Sequence, residues 1–174
     1  PADESLYKTK YDVVEGRWPE SPDELVVILG PGNTISDLAL YNMGLKDYTK
    51  LDAMIESFNQ NTTENQLEIG NPEAFPFKDV IGKEFNLVNA YKMYNYDEQL
   101  GCWVKISAEA EVQAMAKQGS KLTIVGVARP NAENDSPTIT PAIYYTSDLV
   151  YSMIEVAKIS EIVQAQLNDT STNA

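Results

Sequence analysis

The sequence predicts an α+β fold: a mixed sheet covered by helices, with a β-rich element inserted in the middle of the chain. Three observations point there. Two long apolar runs, Leu25-Val26-Val27-Ile28-Leu29 and Lys121-Leu122-Thr123-Ile124-Val125-Gly126-Val127-Ala128, have the pattern of strands buried on both faces. Segments with apolar residues three and four apart lie between and after these runs, the spacing of helices that cover a sheet. From 81 to 119 the pattern changes to short alternating stretches rich in tyrosine.

Each element follows in order. Residues 1–10 and 168–174 are polar and read as flexible ends. Tyr11 to Val14 is a short strand, closed by the turn Gly16-Arg17-Trp18-Pro19. In that turn Arg17 is expected to stack on and pair beside Trp18. The strand 25–29 ends at Gly30-Pro31-Gly32-Asn33, and Thr34 or Ser36 caps a helix that stops at Gly44. A second helix is expected over Tyr48 to Phe58, with Leu51, Met54, Ile55 and Phe58 on one face. Residues 59–76 read as a surface excursion.

Residues 84–88 form an alternating strand. Tyr91 to Tyr94 is expected to pair as a hairpin with Trp103 to Ile106, followed by a short helix from Ala108 to Lys117. After the strand 121–128 comes a loop over 129–142 and a short strand, Ile143 to Thr146. Ser147 then caps a helix with Leu149, Val150, Met153, Ile154 and Ala157 on its apolar face, and Ser160 caps a last helix ending near Asn168. The whole reads as one domain over 11–167, with 81–119 as an inserted subdomain.

Composition narrows the function. The chain carries 13 Lys+Arg against 26 Asp+Glu, a net charge of −13. That field repels phosphate backbones and anionic headgroups, so nucleic acid is not expected as a partner. Histidine is absent. Ser–His and Cys–His nucleophile pairs and His-based zinc sites are therefore excluded within this chain. The single cysteine, Cys102, sits beside apolar residues and is expected to act as a small, partly buried side chain. No run approaches the ~20 apolar residues of a membrane span. The chain opens without Met or a signal-peptide pattern, and we expect a segment of a longer protein.

Carboxylate chemistry is what remains. Asp97 and Glu98, beside Tyr94, Tyr96 and Trp103, resemble the acid pair and aromatic platform of a glycosidase, but neighbours on a strand point to opposite faces. The stretches 95–99 and 131–135 offer oxygen ligands without the spacing of a calcium loop. Gly30-Pro31-Gly32 lacks the ending of a phosphate loop. We therefore expect no catalytic, metal or cofactor residues. The sites singled out are an interaction surface of Tyr91, Tyr94, Tyr96 and Trp103, and the structural turn Gly16, Arg17, Trp18 and Pro19.

Five segments also carry a family resemblance. They are Val14-Glu15-Gly16-Arg17-Trp18-Pro19 with Glu24-Leu25-Val26-Val27, Ile35 to Tyr41 with Gly44-Leu45, Ile81-Gly82-Lys83-Glu84-Phe85, Thr123 to Pro130, and Ile143 to Leu149. In this order they resemble the extracytoplasmic core domain of ABC transporter permeases of the MacB and FtsX type, in the variant found in Gram-positive bacteria. The resemblance implies a non-catalytic domain on the extracellular side of the cell membrane, anchored by transmembrane helices outside this sequence. Its implied partners are a second or paired permease copy, a cytoplasmic ATPase on a separate chain whose motion it relays, and a peptide, lipid or lipoprotein substrate. The rival reading is an extracellular ligand-binding module that uses the Tyr/Trp surface.

Overall fold

A computed structural model of the chain describes residues 5–46, 76–134 and 137–169. The helix expected over 48–58 and nearly all of the excursion over 59–76 lie outside the described residues.

The fold is α+β and is organised around one long strand. Seven strands are described: β1 Tyr11–Gly16, β2 Glu24–Ile28, β3 Glu84–Leu87, β4 Tyr94–Asp97, β5 Cys102–Lys105, β6 Ser120–Pro130 and β7 Ala142–Tyr145. The helices are α1 Ser5–Lys8, α2 Asp37–Asn42, α3 Glu109–Lys117, α4 Ser147–Lys158 and α5 Glu161–Asn168. The 11-residue β6 is the spine of the main sheet. Along one side it pairs in parallel with β2, which pairs antiparallel with β7. Along its other side two short strands lie end to end: β1 opposite Gly126 to Pro130, and β3 opposite Ser120 to Thr123, both antiparallel. β4 and β5 form a separate two-stranded ribbon, whereas β3, also within the insert expected over 81–119, pairs with β6 in the main sheet.

The two apolar runs are neighbours in the sheet and bury both faces, as their unbroken hydrophobicity predicts. Leu25, Val27 and Leu29 meet Ile124 and Val127 on one face, where Leu40 and Met43 at α2 and Leu149 of α4 cover them. Val26, Ile28 and Ala128 point to the other face and pack with Tyr11, Trp18 and Tyr144. Val27, Ile124 and Val127 are wholly inaccessible, which sets the centre of the core in the β2–β6 pair.

Two helix starts obey local chemistry, whereas the Ser160 hydroxyl donates to the Ala157 carbonyl at 2.7 Å and leaves α5 without the expected side-chain cap. The Ser36 hydroxyl accepts the Ala39 N–H at 3.3 Å and caps α2. Thr146 accepts the Leu149 N–H at 3.2 Å, so the cap of α4 lies one residue before the expected Ser147. The expected apolar face of α4 divides. Leu149 is buried and Met153 half-buried, whereas Val150 and Ile154 stay exposed, because the stripe is wider than the contact it makes with the sheet.

Candidate functional site

The structural turn sits where two strands cross. β1 leaves the sheet at Gly16, which has φ +70°, a conformation that disfavours any side chain. Gly16 lies opposite Gly126, and the Arg17 N–H donates to the Val125 carbonyl at 2.9 Å. A Cβ on Gly126 would run into the Arg17 carbonyl oxygen, and one on Gly16 into the Val125 oxygen. Gly126 therefore answers both readings of a glycine inside a strand. Val125 is the extra residue where the β2 register shifts, and the missing Cβ admits a crossing backbone. On the same stretch of β6, the Gly82 N–H donates to the Ile124 carbonyl at 2.8 Å and the Ile124 N–H to the Lys83 carbonyl at 3.0 Å.

Arg17 does not stack on Trp18. Its guanidinium makes a two-pronged pair with Glu24 at the start of β2, one arm at 2.7 Å, and also donates to the Trp18 carbonyl at 3.0 Å. Trp18 packs on Tyr7 instead, with ring centroids 5.0 Å apart. The Glu20 N–H adds a third donor to the Glu24 carboxylate at 2.7 Å. The Arg17 hydrogen bond and then the Glu20 amide hold the Glu24 carboxyl at about 2, well below the usual carboxylate range. Arg17 is raised in turn by the same pair. The loop 17–24 is thus a clasp closed by an ion pair, and Pro19 lies inside it.

The four aromatic residues divide between two places. Tyr94, Tyr96 and Trp103 share one face of the ribbon, where Tyr96 opposes Trp103 with edge-on rings 5.5 Å apart. Tyr96 is 53% exposed. Tyr91 lies outside the ribbon. Residues 90–93 form a 3-10 turn where a strand was expected, and β4 begins only at Tyr94. Cys102 is exposed, contrary to expectation, because a two-stranded ribbon has no second layer to cover it.

One acidic residue of the ribbon has a structural duty. The Asp97 Oδ1 accepts the backbone N–H groups of Gln99 and Leu100 at 2.8 and 3.0 Å and so builds the hairpin turn. The loop after β6 is tied down in the same way. The Asn131 and Asn134 side-chain amides donate to the Thr9 and Lys10 carbonyls at 2.9 and 3.2 Å. Among the described residues no three His, Cys, Asp or Glu side chains come together to hold a metal ion, and no helix is long and apolar enough to cross a membrane.

Tyr91 instead lines a cleft of about 230 Å³ between α4 and the end of the sheet where β2 and β6 begin. Leu87, Leu122, Leu149 and Met153 supply its apolar lining, and Lys92 and Lys121 its positive groups. Sequence reading missed this cleft, since its walls come from four separate stretches of chain. Comparisons with protein-family models, curated proteins and solved structures return no match.

Proposed function

We propose that this chain is the extracytoplasmic domain of an ABC transporter permease, a non-catalytic module that relays movement driven by an ATPase on a separate chain. One observation carries the reading. Three of the segments that bear the resemblance meet within three residues of β6: Gly16-Arg17 at Val125 and Gly126, and Gly82-Lys83 at Ile124. These three motif segments form one junction in the fold, which supports the reading. Glu24, from the same set, closes the clasp over that junction. A junction of interlocked backbones suits a body that must move as a unit, since a packed core transmits displacement with little compliance.

The ribbon face of exposed Tyr94 and Tyr96 with half-buried Trp103 supports a second duty on the same domain, contact with a substrate or a neighbouring protein.

The sole cysteine of the chain provides the test, because Cys102 is exposed. A membrane-impermeant maleimide is applied to intact cells carrying the full-length protein, with Cys102→Ser as the reference for other thiols. Labelling of Cys102 in intact cells is expected, together with co-purification of an ATPase subunit from detergent. Labelling that needs cell lysis overturns the reading.

A further inference from the structure

The two edges of the main sheet are finished differently. The edge made by β1 and β3 carries the exposed Asp12, Glu15 and Glu84 and a register shift between Val13 and Glu15. Charges and bulges of this kind keep a sheet edge from pairing with another chain. β7 forms the other edge. It reads Ala142-Ile143-Tyr144-Tyr145, with no charge, no proline and an uninterrupted register on β2. β2 is its one strand neighbour among the described residues. A strand paired on one side turns its alternate N–H and C=O groups outward, and another strand matches their spacing. A groove of about 370 Å³ is lined by Ala142 to Ser147 alone, so its second wall is missing.

Charge indicates whose strand fits. The net charge is −13, and from Pro137 to Ile154 the one charged side chain is Asp148, exposed at the start of α4. A second copy would bring another −13 to the same edge, and like charge of that size keeps chains apart. Within the chain, the sequence over 48–76 reads as a helix and a polar excursion and offers no strand.

We propose that β7 is an acceptor edge for an extended, positively charged segment of another protein, which pairs with it and extends the main sheet. Backbone pairing along β7 supplies the affinity. Apolar residues at alternate positions of the segment lie on the face that carries Ile143 and Tyr145, and a Lys or Arg meets Asp148. The assignment is independent of the permease reading.

The test is hydrogen exchange and an NMR titration of the 174-residue chain at low salt with three peptides. They are acetyl-Lys-Val-Thr-Val-Thr-Val-Lys-amide, the same peptide with Glu for both lysines, and the lysine peptide with Pro for its central valine. Alternate amides of Ala142 to Tyr145 should exchange freely in the chain alone. The lysine peptide should slow them at least about tenfold at saturation, with a Kd on the order of 0.1–1 mM. The Glu peptide should bind about tenfold more weakly, and the Pro peptide should give no protection. Asp148→Asn should weaken the lysine peptide about threefold, and its spectrum reports that the fold is kept. Protection in the chain alone overturns the proposal: if it survives dilution, the chain covers its own edge, and if it fades, a second copy does. Equal affinity for the Lys and Glu peptides, an unchanged Kd in Asp148→Asn, shifts without protection of β7, or no saturable shifts up to the order of 10 mM overturns it as well.

Discussion

The β1–β6 crossing and the β4–β5 ribbon are built on opposite principles. At the crossing, two backbones touch at paired glycines, and the Arg17–Glu24 clasp closes over them. Nothing there can shift without moving the wholly buried Ile124 and Val127 on the same strand. The ribbon has no core. It is held by its own ladder, one edge-on Tyr96–Trp103 contact and the Asp97 turn, and a lone two-stranded ribbon is marginal in water. The contrast separates a part locked to the core from a part held only by its own contacts. Three of the five segments carrying the family resemblance belong to the first part, and the aromatic face of Tyr94, Tyr96 and Trp103 to the second.

The largest effect expected from breaking this contrast is at the crossing. Gly126→Ala places a methyl group against the Arg17 carbonyl, and the obstacle is backbone that cannot rotate away. Overpacking of this kind costs about 3 kcal/mol. The urea midpoint should fall accordingly, with an unchanged slope. A loss below about 0.5 kcal/mol would mean that the crossing is loose, and the contrast would fail.

The ribbon should respond differently in kind. Trp103→Ala removes the aromatic pair, worth about 1 kcal/mol, from an element that contributes nothing to the main core. Hydrogen exchange should speed up over 94–105 while the amides of β6 keep their protection. Equal acceleration in β6 would show that the ribbon is an integral part of the sheet's stability.

The same contrast explains what was legible in the sequence. The strands at 25–29 and 121–128 declare themselves because burial on both faces demands a largely apolar run. Gly126 was visible as a close-approach or bulge position, but the backbone it admits, at Arg17, lies more than a hundred residues away. Glu24 as the partner of Arg17 was hidden for a similar reason, since adjacency favoured Trp18 and only the folded loop brings Glu24 close. Tyr91 was grouped with Tyr94 and Tyr96 because alternation continues through the 3-10 turn that separates them. Cys102 was misjudged because its apolar neighbours suggest a core, and the isolation of a ribbon leaves no local mark in composition. The cleft beside Tyr91 could not be read at all, because none of its wall segments is unusual alone.

The smallest effect sharpens the comparison by pH. The Glu24 carboxyl sits at about 2 in the folded protein, below its ordinary 4.5, so the clasp contributes fully above 4.5. That contribution fades as pH falls from 4.5 toward 2 and is gone below 2, when the carboxyl is protonated in the folded state as well. Glu24→Gln lacks it at every pH. The Arg17 side chain is 47% exposed, so solvent screens the pair and its effect is the smallest of the three. The difference in urea midpoint between the parent chain and Glu24→Gln should therefore be present at pH 7 and close to zero at pH 2. The remaining carboxylates titrate in both proteins and cancel in the difference. A gap that persists at pH 2 would mean that Glu24 supports the crossing through packing or through the Glu20 amide, and that the clasp is not electrostatic. A gap that closes would leave the backbone crossing as the part of the junction that acid does not loosen.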